Sequence, residues 1–247
     1  MRSSIIALVL SVVVTSVFSQ WGDNYIELSE NITKETQNIT GFDKIEVSED
    51  FIVYINFSST TEKVEIEANE NLHDLIQVKK EGRTLKIDTK SYSTWNKVGN
   101  KRSAEERLVA YINAKQLTGI KGDEDVVIKL KDKLITDKLT IVLDEDCTLE
   151  GHLEVNNLMV NLDEDSVLEI EGSAKTMKVE ANEDSYVKGK EFTVGDLSIE
   201  LNEDSEAKLT VNGNIDLVAK DDSYFYYRGD GNFSRKKLRG DSEVRAW

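Results

Sequence analysis

Acidic residues recur in pairs along the second half of this chain, each pair placed directly before a serine or a cysteine. The pairs are Glu145-Asp146, Glu164-Asp165, Glu183-Asp184, Glu203-Asp204 and Asp221-Asp222, and Asp241 stands alone before the last serine. Two carboxylates held close together can divide acid and base work between them, as in glycoside hydrolysis. Oxygens that converge on one point can instead hold a hard cation such as calcium. Recurrence weighs against the first chemistry, because pairs supplied by every copy mark no single site. The spacing fits neither the EF-hand loop nor the nonapeptide calcium-binding roll. The leading reading is a solvated acidic edge whose aspartates cap turn amides, with calcium binding as the alternative that a melt in calcium against chelator decides. No catalytic residue, cofactor-binding residue or metal ligand is assigned. Like charges about 5 Å apart at a surface repel by about 1 kcal/mol or more per pair, so the edge must splay into water or be offset.

Nucleophilic chemistry has little to work with. Cys147 is the only cysteine, and His73 and His152 are the only histidines. Cys147 stands where later copies carry serine, which reads as a small residue packed inside a turn. An internal disulfide is impossible with one cysteine, so the core and the hydrogen-bond ladders must hold the fold.

The elements that position these turns follow from the repeat itself. Aligned on Cys147, Ser166, Ser185, Ser205, Ser223 and Ser242, the copies lie 19, 19, 20, 18 and 19 residues apart. A period near twenty marks one supersecondary unit that buries its apolar face only by stacking on its neighbours. Two residues after the alignment point stand Leu149, Leu168, Val187, Ala207, Phe225 and Val244. Four before it stand Leu143, Leu162, Ala181, Leu201, Ala219 and Leu238. Even offsets put these side chains on one face of extended chain, and a spacing of two excludes a helical repeat.

Each copy then supplies two short strands. The acidic turn joins them at one end, and a turn such as Glu171-Gly-Ser-Ala or Val211-Asn-Gly-Asn joins them at the other. The expected architecture is all-β: a β-solenoid, most simply a right-handed parallel β-helix with coils of about 19 residues. Stacking places Leu168 over Leu149 and Val179 over Val160, and the buried serine hydroxyls are expected to bond to backbone or to the serine above. Earlier copies are visible around Val126 and, more distantly, in Val47-Ser-Glu-Asp-Phe-Ile-Val-Tyr-Ile.

Upstream of the repeat, residues 41–90 alternate in short strands, with one helical turn expected over Asn71–Ile76. Residues 88–107 form the longest candidate loop, carrying Trp95 and the basic cluster Lys97, Lys101 and Arg102. Residues 20–40 read as a flexible N-terminal segment. Residues 1–19 read as a signal peptide, with Arg2 before the apolar run Ile5 to Val17 and small residues at its end. That run is too short to span a bilayer. The domain organisation is therefore 1–19 signal peptide, 20–40 flexible segment and 41–247 a single solenoid.

The net charge is −16, which argues against a phosphate-binding face for nucleic acid. Four Asn-x-Ser/Thr triplets, at Asn31, Asn38, Asn56 and Asn232, are acceptors for N-glycans if the chain passes through a eukaryotic secretory pathway.

At these residues the chain resembles the putative auto-transporter adhesin, head GIN domain family. The resemblance rests on Phe42-Asp-Lys-Ile-Glu-Val, the following Val53-Tyr-Ile, the strand Leu117-Thr-Gly-Ile, and the small-residue turn repeated about every twenty residues. Ser166, Ser185, Ser205, Ser223 and Ser242 match the family's serine, while Glu/Asp-Asp replaces its Gly-Ala. The resemblance covers roughly residues 40–247. It implies an exported β-helical domain without a known reaction, and it carries no catalytic residue over.

The reading that results is a secreted or cell-surface, non-enzymatic module that binds an extracellular ligand, a glycan or other cell-surface component, with no nucleic-acid partner and no membrane span in the mature chain. Two alternatives stand beside it: a polysaccharide-active β-helix enzyme, and a self-associating structural component. In the second, the last copy is open to pairing or is closed by the basic run Arg235-Lys-Lys-Leu-Arg.

Overall fold

The computed structural model describes residues 26–90 and 106–247. Eighteen strands belong to one continuous hydrogen-bonded sheet wound into stacked coils. In chain order they are β1 Ile32–Gln37, β2 Lys44–Ser48, β3 Ile52–Phe57, β4 Lys63–Asn69, β5 Ile76–Glu81, β6 Thr84–Thr89, β7 Leu108–Ala114, β8 Gly119–Asp123 and β9 Val127–Leu130. There follow β10 Leu134–Asp144, β11 Thr148–Leu162, β12 Val167–Ala181, β13 Tyr186–Leu201, β14 Glu206–Val211, β15 Asn214–Ala219, β16 Tyr224–Arg228, β17 Asn232–Leu238 and β18 Glu243–Ala246.

Two long parallel ladders run the length of the stack. One passes through β6, β2, β8, the later parts of β10 to β13, then β15 and β17. The other passes through β7, β3, β9, the first residues of β11 to β13, then β14, β16 and β18. The acidic turns connect the two. Register follows the repeat: Leu149, Leu168 and Val187 are successive partners, and Val160 pairs with Val179. Inward side chains along both ladders are buried, from Phe51 through Leu149 and Leu168 to Phe225. Full burial of each large apolar side chain contributes about 1.5–3 kcal/mol, and stacking removes from water a face that an isolated coil would expose.

Each coil has three runs rather than two. Between the long ladders lies a third, short parallel ladder: Leu134–Thr136, Leu153–Val155, Gly172–Ala174 and Phe192–Val194, ending on Thr210 and Val211. The two-strand expectation merged different corners. Glu171-Gly-Ser-Ala turns the chain into the third run, whereas Val211-Asn-Gly-Asn turns it out again. The inward phase slips once as it leaves, since Val155 and Leu158 are both buried at an odd spacing. At Gly172 φ is +108°, and a Cβ there would lie 2.1 Å from the Leu153 carbonyl oxygen, so only glycine permits this corner.

Chain order and spatial order part company at the N-terminal end. The coil built from β2 and β3 lies between the β8–β9 coil and the strands β6 and β7, which come later in sequence. After β3 the chain leaves the stack, forms β4, a 3-10 helix at Glu70–Leu75 and β5, then returns. The strands β4 and β5 pair antiparallel with β7 and β6. Within the segment read as flexible, Ile32–Gln37 instead forms β1, six residues antiparallel to β4. The sequence signal there is weak because β1 buries none of its side chains fully. The signal-peptide assignment and most of the 88–107 loop, with Trp95 and its basic cluster, lie outside the described residues.

Candidate functional site

The acidic turns place two successive residues of each coil in left-handed backbone. Among the described residues, all fourteen non-glycine positions with positive φ belong to seven such turns, Glu49-Asp50 and Glu124-Asp125 included, with φ between 45° and 70°. Left-handed backbone costs a non-glycine residue roughly 1–2 kcal/mol. The stack offsets that cost by carrying the backbone ladder straight through the turn. The Asp125 amide donates to the Glu145 carbonyl at 2.9 Å, Asp146 to Glu164 at 2.8 Å, and Asp165 to Glu183 at 2.8 Å. Backbone carbonyls of the next coil thus take the amides that aspartate side chains were expected to cap. Among the described residues of these turns, a carboxylate cap survives only where the Asp241 amide donates to Asp222 Oδ1 at 3.3 Å.

The result is a straight acidic ridge. Its fourteen carboxylates nearly equal the whole net charge of −16, so the rest of the molecule is close to neutral. No lysine or arginine among the described residues forms an ion pair with any of them. Elsewhere cations and carboxylates pair across coils, as in Lys129–Glu150 at 3.1 Å and Lys133–Glu154 at 2.6 Å. Loss of water, then the carboxylates of Glu124 and Glu164, raises the pKa of Glu145 above the usual glutamate range. Glu183 is raised in the same way, by loss of water and then by Asp163 and Glu203. At the C-terminal end the ridge walls a hollow of about 500 Å³ between the turns at Glu183 and Asp241. Among the described residues, no three His, Cys, Asp or Glu side chains converge to hold a metal ion.

Beneath the ridge the serines point inward, and Ser166, Ser185, Ser205 and Ser223 are completely buried. Their hydrogen bonding meets the expectation at two positions and departs from it at three. Ser223 Oγ donates to the Lys220 carbonyl, and Ser242 Oγ donates to the Arg239 carbonyl at 2.8 Å. The hydroxyls of Ser166, Ser185 and Ser205 have no partner, neither backbone nor the serine above. Cys147 fills the same corner, and burial pushes its thiol up to about 11, far from a reactive thiolate. His73 lies on the 3-10 helix that leaves the stack and His152 on β11, each near one glutamate (Glu35 and Glu171) at 3.8 and 3.9 Å.

A second concavity, absent from the sequence reading, crosses the third run. It measures about 780 Å³ and spans successive coils from Gln116 through Asp137, Asn156 and Lys175 to Asn212. Val155, Ala174 and Val194 form its apolar floor, and Ile135 beside them is 66% exposed. Asn156 Nδ2 donates to Asp137 Oδ1 at 2.7 Å, and Gln116 Nε2 donates to Thr136 Oγ1 at 3.3 Å. Among the described residues Lys175 makes no ion pair or hydrogen bond through its side chain. At Gly195 a Cβ would sit 2.3 Å from the Lys175 carbonyl oxygen, so this part of the rim is bare backbone. The phase slip after Val155 was the available sequence signal, because a run that changes phase needs its own corner.

Three of the four glycosylation triplets carry exposed asparagines, Asn31, Asn38 and Asn232, whereas Asn56 is half-buried on β3. No helix among the described residues is long and apolar enough to cross a membrane.

Known proteins share this architecture. A putative adhesin from Bacteroides fragilis superposes with a TM-score of 0.79 at 17% identity, covering 90% of this chain and 100% of its own. A putative lipid binding protein from Parabacteroides distasonis gives 0.69 at 15% identity, covering 90% and 99%. A putative adhesin from Parabacteroides merdae gives 0.66 at 17% identity, covering 91% and 99%. At these identities the likeness is one of fold. No curated protein matches the chain. The family model described as putative auto-transporter adhesin, head GIN domain, matches residues 41–231, in agreement with the resemblance carried by the repeat, and the chain belongs to that family.

Proposed function

We propose that this chain is an exported, non-enzymatic binding module that attaches to a glycan or other component of a cell surface. The observation that carries the reading is the uniformity of the coils. From Thr148 to Ala246 they follow one another with small register shifts and no inserted loop that could wall an active site. Carboxylate pairs are present in every coil, so none is singular enough to serve as an acid–base pair. A solenoid of this kind offers long faces on which one side-chain type recurs at each coil, which suits binding of extended ligands.

Export follows from the leader-like residues 1–19, and N-glycans at Asn31, Asn38 and Asn232 belong to the same reading in a eukaryotic host. Glycosidase treatment of the native protein should lower its mass; an unchanged mass removes the glycans from the account. Self-association has one observation in its favour, since β17 and β18 each pair on one side only. The exposed Lys236, Lys237 and Arg239 work against it by charging that edge.

The test is a glycan-array and cell-surface binding screen of the mature chain, with and without calcium. Saturable binding without turnover is the expected result. Steady cleavage of a polysaccharide would favour the enzyme, and assembly that rises with concentration in the absence of ligand would favour the structural component.

A further inference from the structure

We infer that the groove across the third run is the ligand site of this module and that it takes an extended, carboxylate-bearing glycan lying along the solenoid axis. The inference rests on the surface-binding reading above and adds the place and the chemistry. Successive coils stand about 4.8 Å apart, so the groove offers its rim groups at a regular step, suited to a polymer that presents its own groups regularly. The floor of Val155, Ala174 and Val194 is apolar, with the side chain of Ile135 standing free beside it. Such a strip receives the C–H faces of sugar rings. Asn156 and Asn212 on the rim offer amide donors and acceptors to hydroxyl groups.

Charge selects within this class. Lys133, next to the groove, is already neutralised by Glu154 at 2.6 Å. Asp137, two coils from Lys175, keeps its charge, with Oδ1 accepting from Asn156 Nδ2. Lys175, in the middle of the groove, is exposed and has no partner among the described residues. A cation so placed, away from the acidic ridge, is complementary to a carboxylate on the ligand.

A polypeptide suits the groove less well. Its floor is the face of a sheet whose backbone groups are spent between coils, so no edge is open for strand addition. Among the described residues no aromatic side chain lines it, as a polyproline ligand requires.

The experiment uses the full mature chain and three probes: a galacturonic acid hexamer, the neutral cellohexaose, and hexaglutamate. Binding is measured by calorimetry at low and moderate salt for the wild type, Lys175→Glu and Ser173→Trp. Both substituted side chains are exposed, so the coils keep their buried faces, and circular dichroism with a thermal melt verifies this. The acidic hexamer should bind the wild type about tenfold or more tightly than cellohexaose. Lys175→Glu should lose about tenfold or more, and Ser173→Trp, which fills the groove, should abolish binding.

Equal binding of the acidic hexamer by all three proteins would overturn the site. Preference for hexaglutamate or for cellohexaose would overturn the ligand class. The surface screen separates the two levels: variants that still attach to cells as the wild type does refute the groove alone, whereas a wild type that binds nothing refutes the surface-binding reading as well.

Discussion

Glu164 and its counterparts hold a conformation that glycine adopts freely and glutamate does not, and they do so beside other carboxylates. Glu164→Gly should therefore raise the melting temperature, by relief of left-handed strain worth up to about 1 kcal/mol together with removal of one ridge charge. A drop would show that the backbone ladder, not the side chain, sets the turn. Acidity gives a second handle. The pKa values of Glu145 and Glu183 are raised on folding, so their contribution is most favourable at low pH and falls as pH rises through the window above the ordinary glutamate value. The ion-paired Asp43, held down by Arg83, and Glu154, held down chiefly by Lys133, act oppositely and lose stability as pH falls. A Glu145→Gln, Glu183→Gln double variant should flatten that decline just above the ordinary glutamate value, in urea melts taken across pH; an unchanged slope would refute the raised titration of these two carboxylates. The serines divide by partner. Ser185→Ala should be close to neutral, since its buried hydroxyl is unpartnered, whereas Ser223→Ala should cost about 1 kcal/mol through its lost bond to Lys220.

Corners and strands decide how coils stack, and here legibility was uneven. Strands that bury one face announce themselves by alternation, which is why the partners of Leu149 and Val160 could be named from spacing alone. The third run escaped because Leu153 and Val155 keep the phase of the preceding strand and lengthen it, leaving no break until Leu158. With that corner unseen, the groove that it shapes could not be seen either. Strand β1 escaped for another reason: an edge strand with both faces in water leaves no apolar pattern. The non-sequential placement of β2 and β3 depends on pairing across tens of residues, to which local pattern is blind. Gly172 tests the corner directly. Gly172→Ala should destabilise by several kcal/mol, through positive φ and the 2.1 Å approach to the Leu153 carbonyl, while Gly82→Ala, with nothing within 4 Å, should cost about 1 kcal/mol. Comparable melting temperatures for the two would contradict the corner.

At the scale of the molecule, charge is sorted by face. The ridge holds nearly all of the net charge of −16 on one line of turns, and the groove lies on the third run, bounded by different corners of the coil. Such sorting allows a polyanion to approach the groove while the ridge, screened over about 8–10 Å at physiological salt, keeps it from lying along the turns. The same ridge keeps parallel copies apart. Higher ionic strength should thus weaken binding of an acidic polymer at Lys175 and at the same time raise the stability of the free chain.

Binding without turnover is the claim on which the functional account stands. Its most direct measurement is size exclusion with light scattering of the mature chain mixed with a defined polygalacturonate at stoichiometric concentration, over hours. The account predicts co-elution of protein with polymer of unchanged length. Polymer that emerges shortened, or that elutes apart from the protein at every concentration, would contradict it.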